Sequence, residues 1–100
     1  MYEIIRGHRE VNGVVVTTFK REVVNANILE VEAGTTGLCG GDSGYGCRTY
    51  IRIQNMGGTD IQALPIADGG VVVKLGGDAE LVTIIEALEF VVKVLKEEGY

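Results

Sequence analysis

The chain changes its hydrophobic period once, near Asp78, and that change fixes its fold class. Before it, apolar residues alternate with polar ones or form short β-branched runs. After it they recur every three to four residues, the repeat of a helix face. Asp78 reads as an N-cap, Ala79 to Glu98 as helix and Gly99 as its stop. Leu81, Ile84, Ile85, Leu88, Val91, Val92 and Leu95 make one broad apolar stripe, which predicts packing on a sheet. Thr83, Ala87, Phe90 and Val94 form a second stripe on the opposite side. A helix on one sheet needs only one such stripe, so the second predicts a subunit interface and a homo-oligomer.

The segment before Asp78 reads as strands. Asn12-Gly13 separates Ile4–Val11 from Val14–Val24, and Asn-Gly accepts the positive φ that a two-residue hairpin requires. A third strand over Asn27–Ala33 sends Leu29, Val31 and Ala33 to the core and Glu30 and Glu32 to water. A fourth, Arg48–Gln54, sets Thr49, Ile51 and Ile53 on one face and Tyr50, Arg52 and Gln54 on the other. Asn55-Met56-Gly57-Gly58 reads as a turn, and Ile61–Ala67 as an edge or irregular strand because it holds Pro65. Asp68-Gly69-Gly70 turns the chain into Val71–Leu75. The expected fold is α+β: an antiparallel β-sheet of five or six strands with one long C-terminal helix packed on one face, as a single domain over residues 1–100.

Composition removes several classes of function. Nine basic against fourteen acidic residues, a net charge of −5, argues against a nucleic-acid polymer as partner. No run of about 20 apolar residues is present to span a membrane. Charges at Glu3 and Arg6 interrupt the place where a signal peptide carries its apolar segment, so a cytoplasmic location is expected. One His and two Cys cannot build a disulfide framework or a four-ligand His/Cys zinc site. No metal and no cofactor are expected.

Glycine concentrates in one place. Six of the fifteen, Gly34, Gly37, Gly40, Gly41, Gly44 and Gly46, fall within thirteen positions. Loops this long in small domains are usually functional or disordered. Glycine lets successive backbone N–H groups converge and lets a ligand come close. Thr35, Thr36 and Ser43 add hydroxyls, Arg48 can bind phosphate or carboxylate in bidentate fashion, and Tyr45 and Tyr50 can stack on a planar ring. Gly40, Gly41, Asp42 and Gly44 complete a candidate binding loop for a small anionic or nucleotide-like molecule. Asp42 fits ribose hydroxyls, an exocyclic amine or the Arg48 guanidinium better than it fits phosphate. The loop lacks the Gly-Lys-Ser/Thr and the following helix of a P-loop.

Gly41-Asp42-Ser43-Gly44 resembles the segment around the nucleophile of trypsin-like serine proteases. The resemblance implies Ser43 as nucleophile; the only histidine, His8, would have to serve as base, although Arg6-Gly7-His8-Arg9 is unlike the histidine motif of those proteases, and Cys39 is a further candidate for such a small hydrolase. It covers four to six residues, and Tyr45-Gly46 stands where those enzymes have Gly-Pro. The wider pattern from Gly34-Thr35-Thr36-Gly37 through Arg48-Thr49-Tyr50 resembles small uncharacterised proteins of bacteria and their phages. Some small phage proteins sequester signalling nucleotides, and the analogy implies sequestration without catalysis. The leading expectation is therefore non-enzymatic binding at residues 34–50. The alternatives are an assembly protein, with the loop and the helix face as contacts, and the small hydrolase.

Overall fold

The structure is a computed structural model that describes residues 3–99. Six antiparallel strands precede one helix, as the change of period predicts: β1 (Ile5–Val11), β2 (Val14–Val24), β3 (Ile28–Thr35), β4 (Thr49–Gly57), β5 (Ile61–Ile66), β6 (Gly70–Leu75) and α1 (Asp78–Gly99). The strands divide into a four-stranded meander, β1-β2-β3-β4, and a separate β5-β6 hairpin. Asn12 and Gly13 both have positive φ, as do Asp68 and Gly69, which suits turns between right-twisted strands. β4 runs through Asn55, Met56 and Gly57 rather than turning there, and an irregularity at Ile28/Leu29 of β3 accommodates the added length.

The alternation in β3 turns Leu29, Val31 and Ala33 toward α1, and all three are fully buried. The opposite face departs from expectation. Glu32 is not in water: it is 2% exposed and lies at the centre of a polar cluster. Arg9 of β1 grips its carboxylate with two bonds, Nε to Oε2 at 3.0 Å and Nη2 to Oε1 at 2.8 Å. Thr18 of β2 donates to Oε2 at 2.5 Å, and Arg52 Nε of β4 donates to Oε1 at 3.0 Å. Arg52 also pairs with Glu30. Donors from three strands converge on one carboxylate because the sheet curls, bringing the Arg9 guanidinium within 5.4 Å of the Tyr50 ring centroid on β4. The curl also encloses Val16, fully buried on the side away from the helix. Gly34 lies opposite Thr18 and permits this: a Cβ there would collide with the Thr17 and Thr18 backbone.

The helix also turns inward a face other than the broad apolar stripe. Thr83, Ala87, Phe90 and Val94, expected at a subunit interface, are buried with Val91 against β2 and β3. Leu81, Ile85, Leu88 and Val92, expected on the sheet, are 48–59% exposed. The small Thr83 and Ala87 let the helix approach β3 closely, and hydrogen bonds fix its rotation. Asn25 donates to Thr83 Oγ1 and Thr83 donates to Asn27 Oδ1, both at 2.9 Å. Asn27 in turn donates to Thr59, and Thr59 to the Ile28 carbonyl. A larger but wholly apolar stripe could not satisfy the buried Asn27 amide.

Glu32 carries a testable signature. Its hydrogen bonds from Arg9, helped by those from Thr18 and Arg52, outweigh burial and hold its pKa at about 2, below the ordinary 4.5. A depressed carboxyl stabilises the fold fully above its unfolded pKa. That contribution disappears as pH falls from about 4.5 through about 2. Glu32→Gln is expected to cost on the order of 3 kcal/mol at pH 7 in urea melts, because it leaves Arg9 without a carboxylate and Arg52 with Glu30 alone. The variant should also flatten the loss of stability between those two pH values.

Candidate functional site

The loop between β3 and β4 is a tied structure with a neck and a crest. At the neck, Thr36 and Arg48 exchange two bonds: Thr36 N donates to the Arg48 carbonyl at 3.0 Å, and Arg48 N donates to Thr36 Oγ1 at 2.9 Å. Beside them the Thr35 and Thr49 hydroxyls are 3.1 Å apart, and Gly37 N donates to Thr35 Oγ1 at 3.2 Å. Leu38 N reaches the carbonyl of Gly99, fastening the loop to the end of α1.

The crest folds around Asp42. Gly44 N donates to Asp42 Oδ1 at 2.9 Å, while Tyr45 N and Gly46 N donate to the Asp42 carbonyl at 3.2 and 2.5 Å. Three backbone amides therefore converge, as the glycine spacing suggests, and the acceptor they meet is the loop's own aspartate. Gly41 and Gly46 pack backbone to backbone, which leaves no space for a side chain at either. Arg48 turns back into the same turn. Its Nη1 donates to the Gly46 carbonyl at 3.0 Å and its Nη2 to the Gly44 carbonyl at 3.1 Å. Its Nε is buried without a hydrogen-bond partner among the described residues.

The structure thus brings together Thr35, Thr36, Asp42, Gly44 and Arg48, with only the backbone amide of Tyr45. It does not assemble the rest of the expected site. Tyr45 is 87% exposed, and Tyr50 points to the concave face under Arg9. Gly40, Gly41 and Ser43 lie on the exposed outer part of the loop. His8 stands in the β1–β2 ladder opposite Thr17, and no hydrogen bond joins it to Ser43 among the described residues. Cys39 and Cys47 are free thiols, and Cys39 lies 3.1 Å from the Gly37 carbonyl. Among the described residues no three His, Cys, Asp or Glu side chains are grouped as metal ligands, and no helix is long and apolar enough to cross a membrane.

Two further surfaces outside the loop expose large apolar side chains. The first is one face of the β5-β6 hairpin. Its cross-strand pairs Ile61–Leu75, Ala63–Val73 and Pro65–Val71 are apolar throughout. Val71 and Val73 are 63% and 41% exposed. Only the base is anchored: Ile61 packs on the margin of the core, Gly76 N donates to the Asp60 carbonyl, and Asp60 N donates to Glu80. The second is the outer stripe of α1. The pairing of apolar residues on one hairpin face is readable from the sequence once the Asp68-Gly69 turn fixes the register.

No protein-family model matches the chain, and no curated protein or solved structure matches it either.

The bonding of Arg48 predicts a structural cost independent of any ligand. Arg48→Ala deprives two loop carbonyls of a charged donor and should lower stability by about 1–3 kcal/mol. Thermal melts in ligand-free buffer measure this. A melting temperature equal to that of the parent would show that the Arg48 bonds contribute nothing net.

Proposed function

We propose that this protein is a non-enzymatic assembly protein that works through contact surfaces. The observation that supports this is the β5-β6 hairpin: six apolar residues on one face, with no strand or helix of the four-stranded body laid over its outer part. A two-stranded hairpin alone is marginally stable in water and needs a packed face. Contiguous apolar surface of this kind marks a protein contact more often than it marks solvent-facing structure. The outer stripe of α1 supplies a second uncovered surface.

A second reading is the binding of a small anionic or nucleotide-like ligand at residues 34–50. It is supported by the unpartnered Nε of Arg48, a buried charged donor beside the converging amides of the crest. Under that reading a nucleotide panel raises the melting temperature of the parent, by the equivalent of about 2.7 kcal/mol at a concentration of 100 Kd. Arg48→Lys abolishes the rise.

The assembly reading predicts a mass that grows with concentration in light scattering, without added ligand. Val71→Asp and Val73→Asp each place a charge on the apolar hairpin face. Both should shift the protein toward monomer while leaving its circular dichroism unchanged. A parent that is monomeric at every concentration would overturn the reading.

A further inference from the structure

Both cysteines of the chain lie in the β3–β4 loop, and the loop is pinned across its width on either side of them. Toward the sheet, Thr36 and Arg48 exchange their two bonds at the neck. Toward the tip, Gly41 and Gly46 pack backbone to backbone. Cys39 and Cys47 fall between these two crossings, one on each limb of the loop. A chain pinned above and below them has little room to carry the two thiols apart.

The limbs differ in freedom. Cys47 is half-buried and stands between Gly46, which is packed in the crest, and Arg48, which is bonded at the neck. Cys39 is exposed, and its Sγ lies 3.1 Å from the Gly37 carbonyl. Gly37 and Cys47 line one cavity between the loop and the last turns of α1, so the Cys39 thiol is held beside the space that Cys47 borders. Gly40, the next residue, has a positive φ and open space around it, so the Cys39 limb can turn there without collision. The arrangement is one fixed thiol and one on a swivel.

We propose that Cys39 and Cys47 form a reversible disulfide switch that locks the crest of the loop when the protein meets a low-molecular-weight disulfide. The Cys39 thiolate attacks one sulfur of glutathione disulfide, forming a mixed disulfide and releasing one glutathione thiolate. The Cys47 thiolate then attacks the Cys39 sulfur, forming the Cys39–Cys47 bond and expelling the second glutathione. Two protein thiols are oxidised, one disulfide is reduced to two thiols, and the two protons end on the released glutathiones. The bond replaces the contact of Cys39 with the Gly37 carbonyl and ties the two limbs covalently between the neck and the crest. Neither uncovered apolar surface takes part, so the switch stands apart from the assembly reading.

Equilibration with reduced and oxidised glutathione, in native buffer and in urea, tests it. Natively, thiol trapping and mass spectrometry of the loop peptide should show an internal Cys39–Cys47 bond, with the mixed disulfide scarce because the second step is intramolecular. Cys39→Ser and Cys47→Ser should each stop as a glutathione adduct. The effective concentration of one thiol toward the other should be at least about tenfold higher in the native protein than in urea, because the two crossings hold the limbs together. By linkage, the oxidised protein should then melt at a higher temperature than the reduced one. Arg48→Ala, which frees the Gly44 and Gly46 carbonyls beside Cys47, should move the native value toward that in urea. A native protein that keeps glutathione on Cys39 with Cys47 still free, or whose effective concentration is no higher than in urea, sinks the proposal.

Discussion

One carboxylate organises the sheet. Glu32 accepts hydrogen bonds from Arg9, Thr18 and Arg52, which belong to β1, β2 and β4. In a flat sheet, a side chain on β1 would not reach past β2 to β3. The bidentate grip of Arg9 therefore requires the curl, and the curl in turn buries Glu32 and Val16. A buried charge is costly unless its hydrogen-bonding positions are satisfied. Here two guanidiniums and a hydroxyl satisfy them, and the side chain of Arg9 stays 41% exposed, so its charge keeps part of its hydration. Gly34 removes the side chain that would obstruct the bend beside Thr18.

The position of the helix follows from this. Curling toward Glu32 leaves β3 central, with Leu29, Val31 and Ala33 on its other side as the surface for α1. The polar relay from Asn25 and Asn27 through Thr83 and Thr59 fixes how far the helix is rotated. Once Thr83 is held there, Ala87, Phe90 and Val94 must follow it inward, and Leu81, Ile85, Leu88 and Val92 must face out. The exposed outer stripe of α1 is thus a consequence of burying Asn27 and Thr83.

Much of this was legible in the sequence, and the failures have physical causes. Turn chemistry and period located all six strands and the helix, because Asn12-Gly13, Asp68-Gly69 and the repeat after Asp78 are local signals. The inner face of α1 was not legible. Hydrophobicity favours the side with Leu81, Ile85 and Leu88, whereas close approach to β3 selects small residues and a hydrogen-bonding threonine. Glu32 lies buried rather than in water because alternation assigns a residue to a face without saying whether that face is open. Its partners lie 23, 14 and 20 positions away, beyond any local pattern. In the loop, glycine content allows amides to converge without saying which ones do, or that Asp42 is the acceptor for those of residues 44–46.

The glycine cluster takes on a different meaning once these contacts are considered together. Gly34 serves the curl, and Gly41 and Gly46 serve the backbone contact within the crest. Gly37 has positive φ and sits where a Cβ would come within 3.0 Å of the Glu98 carbonyl, so it lets the loop lie against the last turn of α1. The bond from Leu38 N to the Gly99 carbonyl then holds that end. At the other end, the Glu80 carboxylate accepts the Asp60 amide. The helix is therefore fixed near both termini before it meets any partner. A surface ordered in advance loses less conformational entropy on association than a mobile one. The glycine loop thus helps to hold in place the helix whose outer face is exposed.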